Sequence, residues 1–218
     1  MAKFANQNSI IIMDNAEPQP RKLFINFRDK AFWRAKINLH WGALRAWLYF
    51  NSKRENEEFT LFYRTYAEET GTHANDFYKS MKELISMGYL IKNGTGVWEF
   101  YAESQGAPNS EPDKFSGGER IVVIDAGKAR KGEKEQYTVI DATAFWNAQA
   151  DLNCSAFCLW IYLCHSKVGF RLDVSKAALN LLMGISSSGY TKAWNELKEK
   201  QYVVQQKNHV FYFFATKE

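Results

Sequence analysis

Few side chains in this 218-residue chain stand where covalent or metal chemistry needs them. The three cysteines, Cys154, Cys158 and Cys164, fall within one apolar stretch. Cys154 and Cys158 share a helix face, but zinc needs two further ligands, and His40, His73, His165 and His209 are each isolated. Structural thiols are therefore expected, and no metal site. A phosphate-cradling loop needs glycines followed by Lys-Ser or Lys-Thr, whereas Ser116-Gly117-Gly118 runs into Glu119-Arg120. The His-x-His and His-Glu pairs that nucleases and metalloenzymes use are missing, as are the paired histidines of a rolling-circle relaxase. Neither catalysis nor a cofactor is expected. What remains is hydrogen-bonding and ionic chemistry, in two segments rich in Ser, Thr, Asn, Tyr and Lys and in two basic clusters near residues 21 and 131.

Those two polar segments belong to an internal repeat. Shifting the chain by 113 positions places Ala31-Phe32-Trp33 on Ala144-Phe145-Trp146, and Ala35, Leu39, Ala43, Trp47, Tyr49 and Gly71 on Ala148, Leu152, Ala156, Trp160, Tyr162 and Gly184. Lys79, Glu83, Leu84, Tyr89, Val97 and Phe100 likewise meet Lys192, Glu196, Leu197, Tyr202, Val210 and Phe213. The matches fall on apolar and turn positions at about threefold the chance level, which marks two copies of one small domain.

Composition agrees. With 46% hydrophobic and 16% aromatic residues, each copy of about 100 residues can fill a core. No apolar run approaches the roughly 18 residues of a membrane span, and MAKFANQNSIIIMDN lacks the pattern of a cleaved leader. The odd, clustered cysteines suit a reducing cytoplasm. Charge is uneven: about +3 over residues 1–101, about −3 over 102–119 and about +4 over 120–218. The acidic middle, AESQGAPNSEPDKFSGGE, is rich in Pro, Gly and Ser and reads as a linker between domains 1–101 and 120–218.

Within each copy the apolar period changes several times, predicting an α+β fold. Ile10-Ile11-Ile12 with Phe24-Ile25-Asn26-Phe27, and Ile121-Val122-Val123-Ile124 with Tyr137-Thr138-Val139-Ile140, predict a leading β-hairpin in each copy. Helices are expected around Trp41 to Asn51 (Cys154 to Cys164), from Leu61 (Val174), and from Ala74 to Met87 (Ser187 to Lys200), with Thr60 and Asp173 as N-caps of the second. Phe77, Met81 and Leu84, matched by Tyr190, Trp194 and Leu197, form the buried stripe of the third. A closing hairpin follows, turning at Asn93-Gly94 in copy one and at Lys207-Asn208 in copy two. The stretch from Cys154 to Cys164 is apolar almost all round, so it is expected to pack on two sides, against its own core and against copy one or a second molecule.

Three helices and a β-hairpin, with glycines at 71 and 184 for the helix-to-helix turn, resemble the winged helix-turn-helix. The segments TGTHANDFYKSMKELISMGYLI and MGISSSGYTKAWNELKEKQYVV follow that spacing, with the Glu-Leu pair late in the third helix implied to pack under the wing. Thr72 stands where the pattern has an apolar residue, as Ile185 is in copy two, and His73 stands where Ser186 would cap the third helix of copy two. Gln201 replaces the helix-ending glycine of copy one, Gly88, and implies a different exit angle for the second wing.

The resemblance implies two tandem winged-helix domains and DNA recognition. With the third helix in a major groove, His73, Asn75, Tyr78 and Lys79 in copy one and Ser186, Ser187, Ser188, Thr191 and Lys192 in copy two face the bases. Arg21, Lys22, Lys128, Arg130, Lys131 and Lys134 are the candidate phosphate contacts. Paired unequal winged helices in one chain are similar to plasmid and phage replication initiators, which implies binding at origin repeats and contact with host replication proteins. A transcriptional repressor, a DNA-transfer accessory factor of a mobile element and a protein-interaction scaffold are the competing expectations.

Overall fold

The computed structural model describes residues 8–13, 24–108, 113–126, 137–166, 171–174, 176–207 and 209–216. The fold is α+β. Strands β1 (Asn8–Met13) and β2 (Phe24–Arg28) lead into α1 (Asp29–Asn38), α2 (Trp41–Asn51), β3 (Glu58–Leu61), α3 (Tyr63–Thr70), α4 (Ala74–Ser86), β4 (Leu90–Lys92) and β5 (Trp98–Tyr101). The order then recurs: β6 (Glu119–Asp125), β7 (Tyr137–Asp141), α5 (Ala142–Asp151), α6 (Cys154–Cys164), β8 (Arg171–Val174), α7 (Lys176–Met183), α8 (Ser187–Glu199), β9 (Val203–Lys207) and β10 (Val210–Phe214). From 41–51 to 154–164, and from 74–86 to 187–199, each helix recurs with both ends 113 positions on.

The chain forms two compact units, Ile25–Tyr137 and Met1–Phe24 with Thr138–Glu218. In the first, α4 buries Phe77, Met81 and Leu84, worth about 1.5–3 kcal/mol each when fully covered. Phe77 meets Tyr66 of α3 at 5.1 Å between ring centres. Helices α2 and α4 pack closely at Gly42, where a Cβ would stand 2.8 Å from Ser80 Oγ. Trp47 of α2 is fully buried and its Nε1 donates to the Ala102 carbonyl at 3.0 Å. In the second unit α8 buries Tyr190, Trp194 and Leu197, and Trp194 packs edge-on against Phe211 of β10 at 5.1 Å.

The sheets correct the expected leading hairpins. In the first unit the order is β3-β6-β5-β4, with β6 antiparallel to β3 and parallel to β5. In the second it is β8-β1-β10-β9, with β1 antiparallel to β8 and parallel to β10. So β1 does not pair with β2, nor β6 with β7. The runs Ile10-Ile11-Ile12 and Ile121-Val122-Val123-Ile124 are β-branched at successive positions, which suits an interior strand with ladders on both edges better than one arm of a hairpin. The acidic segment 102–119 accordingly connects β5 to β6 within one unit rather than joining two. Ala102 N donates to Asp125 O at 2.8 Å, Gly118 N donates to Leu61 O at 2.8 Å, and Phe115 is buried against Trp98 and Phe77.

Further corrections are local. Thr60 and Asp173 lie in β3 and β8, and α3 starts after Phe62 without a side-chain cap. Phe59-Thr60-Leu61 is a β-favouring run, and Leu61 alone of it is buried, so the short strand wins over an early helix start. Helices α1 and α5 were not anticipated from their spacing. In the first closing hairpin positive φ occurs at Gly96, not at Asn93-Gly94, while Asn93 Oδ1 accepts from Thr95 N and Val97 N at 3.0 and 3.1 Å. In the second, Lys207 ends β9, His209 takes φ 60°, and Asn208 lies outside the described residues. Gln201 adopts φ 64°, close to 71° at Gly88, so both helices exit alike: Tyr89 N bonds Leu84 O and Tyr202 N bonds Leu197 O, each at 2.9 Å.

Helix α6 buries Ala156, Phe157, Cys158, Leu159, Trp160, Ile161 and Leu163 within one chain. Its apolar surface is thereby covered, leaving little for the expected contact with a second molecule. Cys158 is buried, and Cys154 and Cys164 are half-buried. No helix among the described residues is long and apolar enough to cross a membrane.

Candidate functional site

The stripe that anchors α4 determines which of its residues meet solvent. With Phe77, Ser80, Met81, Leu84 and Ile85 inward, Asn75, Tyr78, Lys79 and Lys82 turn outward, and His73 stands exposed just before the first turn. The structure thus turns Asn75, Tyr78 and Lys79 to one outward face, whereas His73, expected beside them, lies ahead of the helix and lines a cleft together with Lys79. Gly71, at φ 67°, makes the left-handed stop that turns α3 into α4. Thr72 is buried in spite of its hydroxyl because Thr70 Oγ1 donates to it at 2.9 Å, so it fills the place that Ile185 fills in copy two. His73 is the N-cap by backbone but makes no side-chain cap bond.

Beside this face, between the start of α2 and α4, lies a cleft of about 440 Å³. Trp41, Arg45, His73, Asp76 and Lys79 line it. Arg45 is held there by the Thr70 carbonyl and lies 5.9 Å from the centre of the Trp41 ring. Burial lowers the pKa of its guanidinium, an effect that Tyr66 and Asp76 oppose. Glu83 closes one end, accepting from His40 N at 2.7 Å, with His40 Nδ1 at 3.1 Å. Leu84 is buried as expected, but its partner Glu83 reaches the start of α2 instead of the wing.

Helix α8 presents the matching face. Ser187, Ser188, Thr191, Lys192 and Asn195 are exposed. Two of the expected readers have other work: Ser186 Oγ caps the helix by accepting from Gly189 N at 3.1 Å, and Thr191 Oγ1 donates to Ser187 O at 3.1 Å. Ser188 Oγ lies 3.1 Å from Ser186 Oγ. Ser187, Lys192 and Asn195 are therefore the outward groups for which no such bond is seen. Asn195 and Lys82 were missed in the sequence; both sit three residues beyond the aligned lysines, on the side away from the stripe.

No known protein family, curated protein or solved structure matches this chain.

The remaining candidates are not brought to this face. Arg21, Lys22, Lys128, Arg130, Lys131 and Lys134 lie outside the described residues. Of the basic side chains near the first closing hairpin, Lys92 is held 3.5 Å from Glu119 and 5.4 Å from the centre of the Trp98 ring. The second hairpin is more open, with Val204, Gln205, Gln206, Lys207 and His209 exposed. The sequence predicts this hairpin, but beyond Val203 its first strand has no buried alternation that would single out an outward face. No cluster of three metal-ligating side chains occurs among the described residues.

Proposed function

We propose that this chain binds duplex DNA through two unequal winged helices, with α4 and α8 as the recognition helices. One observation carries the reading: helix, strand, two helices joined at a left-handed glycine, and hairpin recur in order, and each second-to-last element shows solvent a polar face with a lysine at the same place. An exposed helix of 13 residues, about 20 Å long, suits the width and depth of a major groove. Asn75 and Asn195 each offer the donor and acceptor pair that matches the adenine edge, while Ser187 offers a shorter, more adaptable hydroxyl. Because the two faces differ, the half-sites differ. Repeats at a plasmid or phage replication origin are the target that the sequence resemblance favours, and recruitment of host replication proteins would follow from it.

Replacing Lys79 and Lys192 together by Ala tests the assignment. A contact of each with phosphate predicts a salt dependence shallower by about two in log–log slope and affinity lower by about tenfold or more near physiological salt. Parental affinity and slope in the double variant would remove α4 and α8 from the interface.

A further inference from the structure

Each unit's sheet contains a gap between two strands of one repeat that a strand from the other repeat fills. In the first unit Ile121 of β6 stands between Phe59 of β3 and Trp98 of β5. In the second, Ile10 of β1 stands between Leu172 of β8 and Phe211 of β10. Phe59 and Leu172 are repeat equivalents, 113 positions apart, and so are Trp98 and Phe211. The two slots are thus the same slot, and the leading strands of the repeats have traded places.

From this reciprocity we infer that each candidate recognition helix depends for its support on the other repeat's leading segment: α8 on residues 8–13, and α4 on residues 119–125. The route in the second unit is short. Ile10 is fully buried against Phe211, and Phe211 packs on Trp194 of α8 at 5.1 Å. In the first, Ile121 and Val123 are fully buried beside Trp98 and Phe100, and Phe100 packs on Phe50 of α2 at 4.9 Å, the helix that crosses α4. Taking away a leading strand would leave two unpaired strand edges and an open core in the unit far away in sequence, not in the unit beside it. Damage to the first dozen residues therefore disables the second reading helix, about 180 positions on, and spares the first. The dependence of DNA contact on these strands rests on the proposed function; the dependence of folding does not.

Amide hydrogen exchange on the full-length protein tests it, comparing Ile10→Ala with Ile121→Ala. For Ile10→Ala the expected result is exchange about 30-fold or more faster over 187–214, with residues 74–101 changed less than about threefold; Ile121→Ala gives the reverse. Ile10→Val and Ile121→Val serve as milder versions should an alanine variant fail to fold, with the same crossed pattern at lower amplitude. Loosening of each variant's own repeat, equal loosening of both, or no loosening would each overturn the inference. A duplex footprint of Ile10→Ala should in addition lose only the α8 half-site; should the parent bind no duplex, the proposed function fails while the exchange pattern still decides the strand exchange.

Discussion

Glu83 Oε1 accepts a hydrogen bond from the backbone nitrogen of His40 at 2.7 Å. The contact recurs in the second repeat, where Glu196 Oε1 accepts from Asn153 N at 2.7 Å and its other oxygen takes the Asn153 amide. In each unit a carboxylate near the end of the candidate recognition helix receives the backbone donor at the start of α2 or α6, where the helix dipole favours negative charge. The pair therefore fixes the angle between the two helices.

Glu83→Ala is expected to cost about 1–2 kcal/mol in stability, with Glu83→Gln retaining part of it because an amide oxygen still accepts. Glu196→Ala should cost at least as much, since Glu196 also holds the Asn153 side chain. Chemical denaturation of the variants measures this. An unchanged midpoint for both alanine variants would show that the contacts are dispensable.

Gly88 and Gln201 occupy the same left-handed turn but tolerate substitution differently. A Cβ at Gly88 would come within 2.0 Å of the Gly106 carbonyl, whose neighbour Gln105 donates to Gly88 O. Gly88→Ala should thus destabilise by more than the roughly 1 kcal/mol of a left-handed alanine. Gln201→Gly should raise stability by about 0.5–1 kcal/mol, read as a higher thermal midpoint. A stabilising Gly88→Ala would contradict the packing of the acidic segment against this turn.

Burial raises the phenol pKa of Tyr49, Tyr66, Tyr89 and Tyr202 above the usual 10.0; at Tyr49 and Tyr202 nearby Glu69 and Asp151 add to it. Above pH 10 the unfolded chain loses phenolic protons that the folded chain keeps, so the unfolded state gains and stability falls as pH rises. The contribution is fully present below pH 10. Urea unfolding across pH 8 to 11.5 should show a flat region followed by a decline, made shallower in Tyr49→Phe. A decline of equal steepness in Tyr49→Phe would show that this phenol is not involved.

Much of this architecture was legible because it is local. The ends of α2 and α6 and the stripes of α4 and α8 follow from a 3.6-residue period, and Gly71 and Gly184 from the turn they must make. Strand partners were not legible. Periodicity shows that Ile10 and Ile121 belong to strands, but pairing partners lie far off in sequence, and nearness along the chain favours the hairpin that the sheets do not form. At the candidate site the aligned lysines and the outward face were readable from the stripe. The cap by Ser186 was legible from the same spacing, but the bond of Thr191 to its own helix was not, because a hydroxyl on an exposed turn suits a base edge and its own backbone equally well.

Selection of duplexes from a random pool by the full-length protein, with the winners measured across salt concentrations, tests the DNA-reading account most directly. The account predicts enrichment of two unlike half-sites, one lost on substitution of Asn75 and Lys79 and the other on substitution of Lys192 and Asn195. Binding without enrichment, weak and steeply dependent on salt, would contradict it.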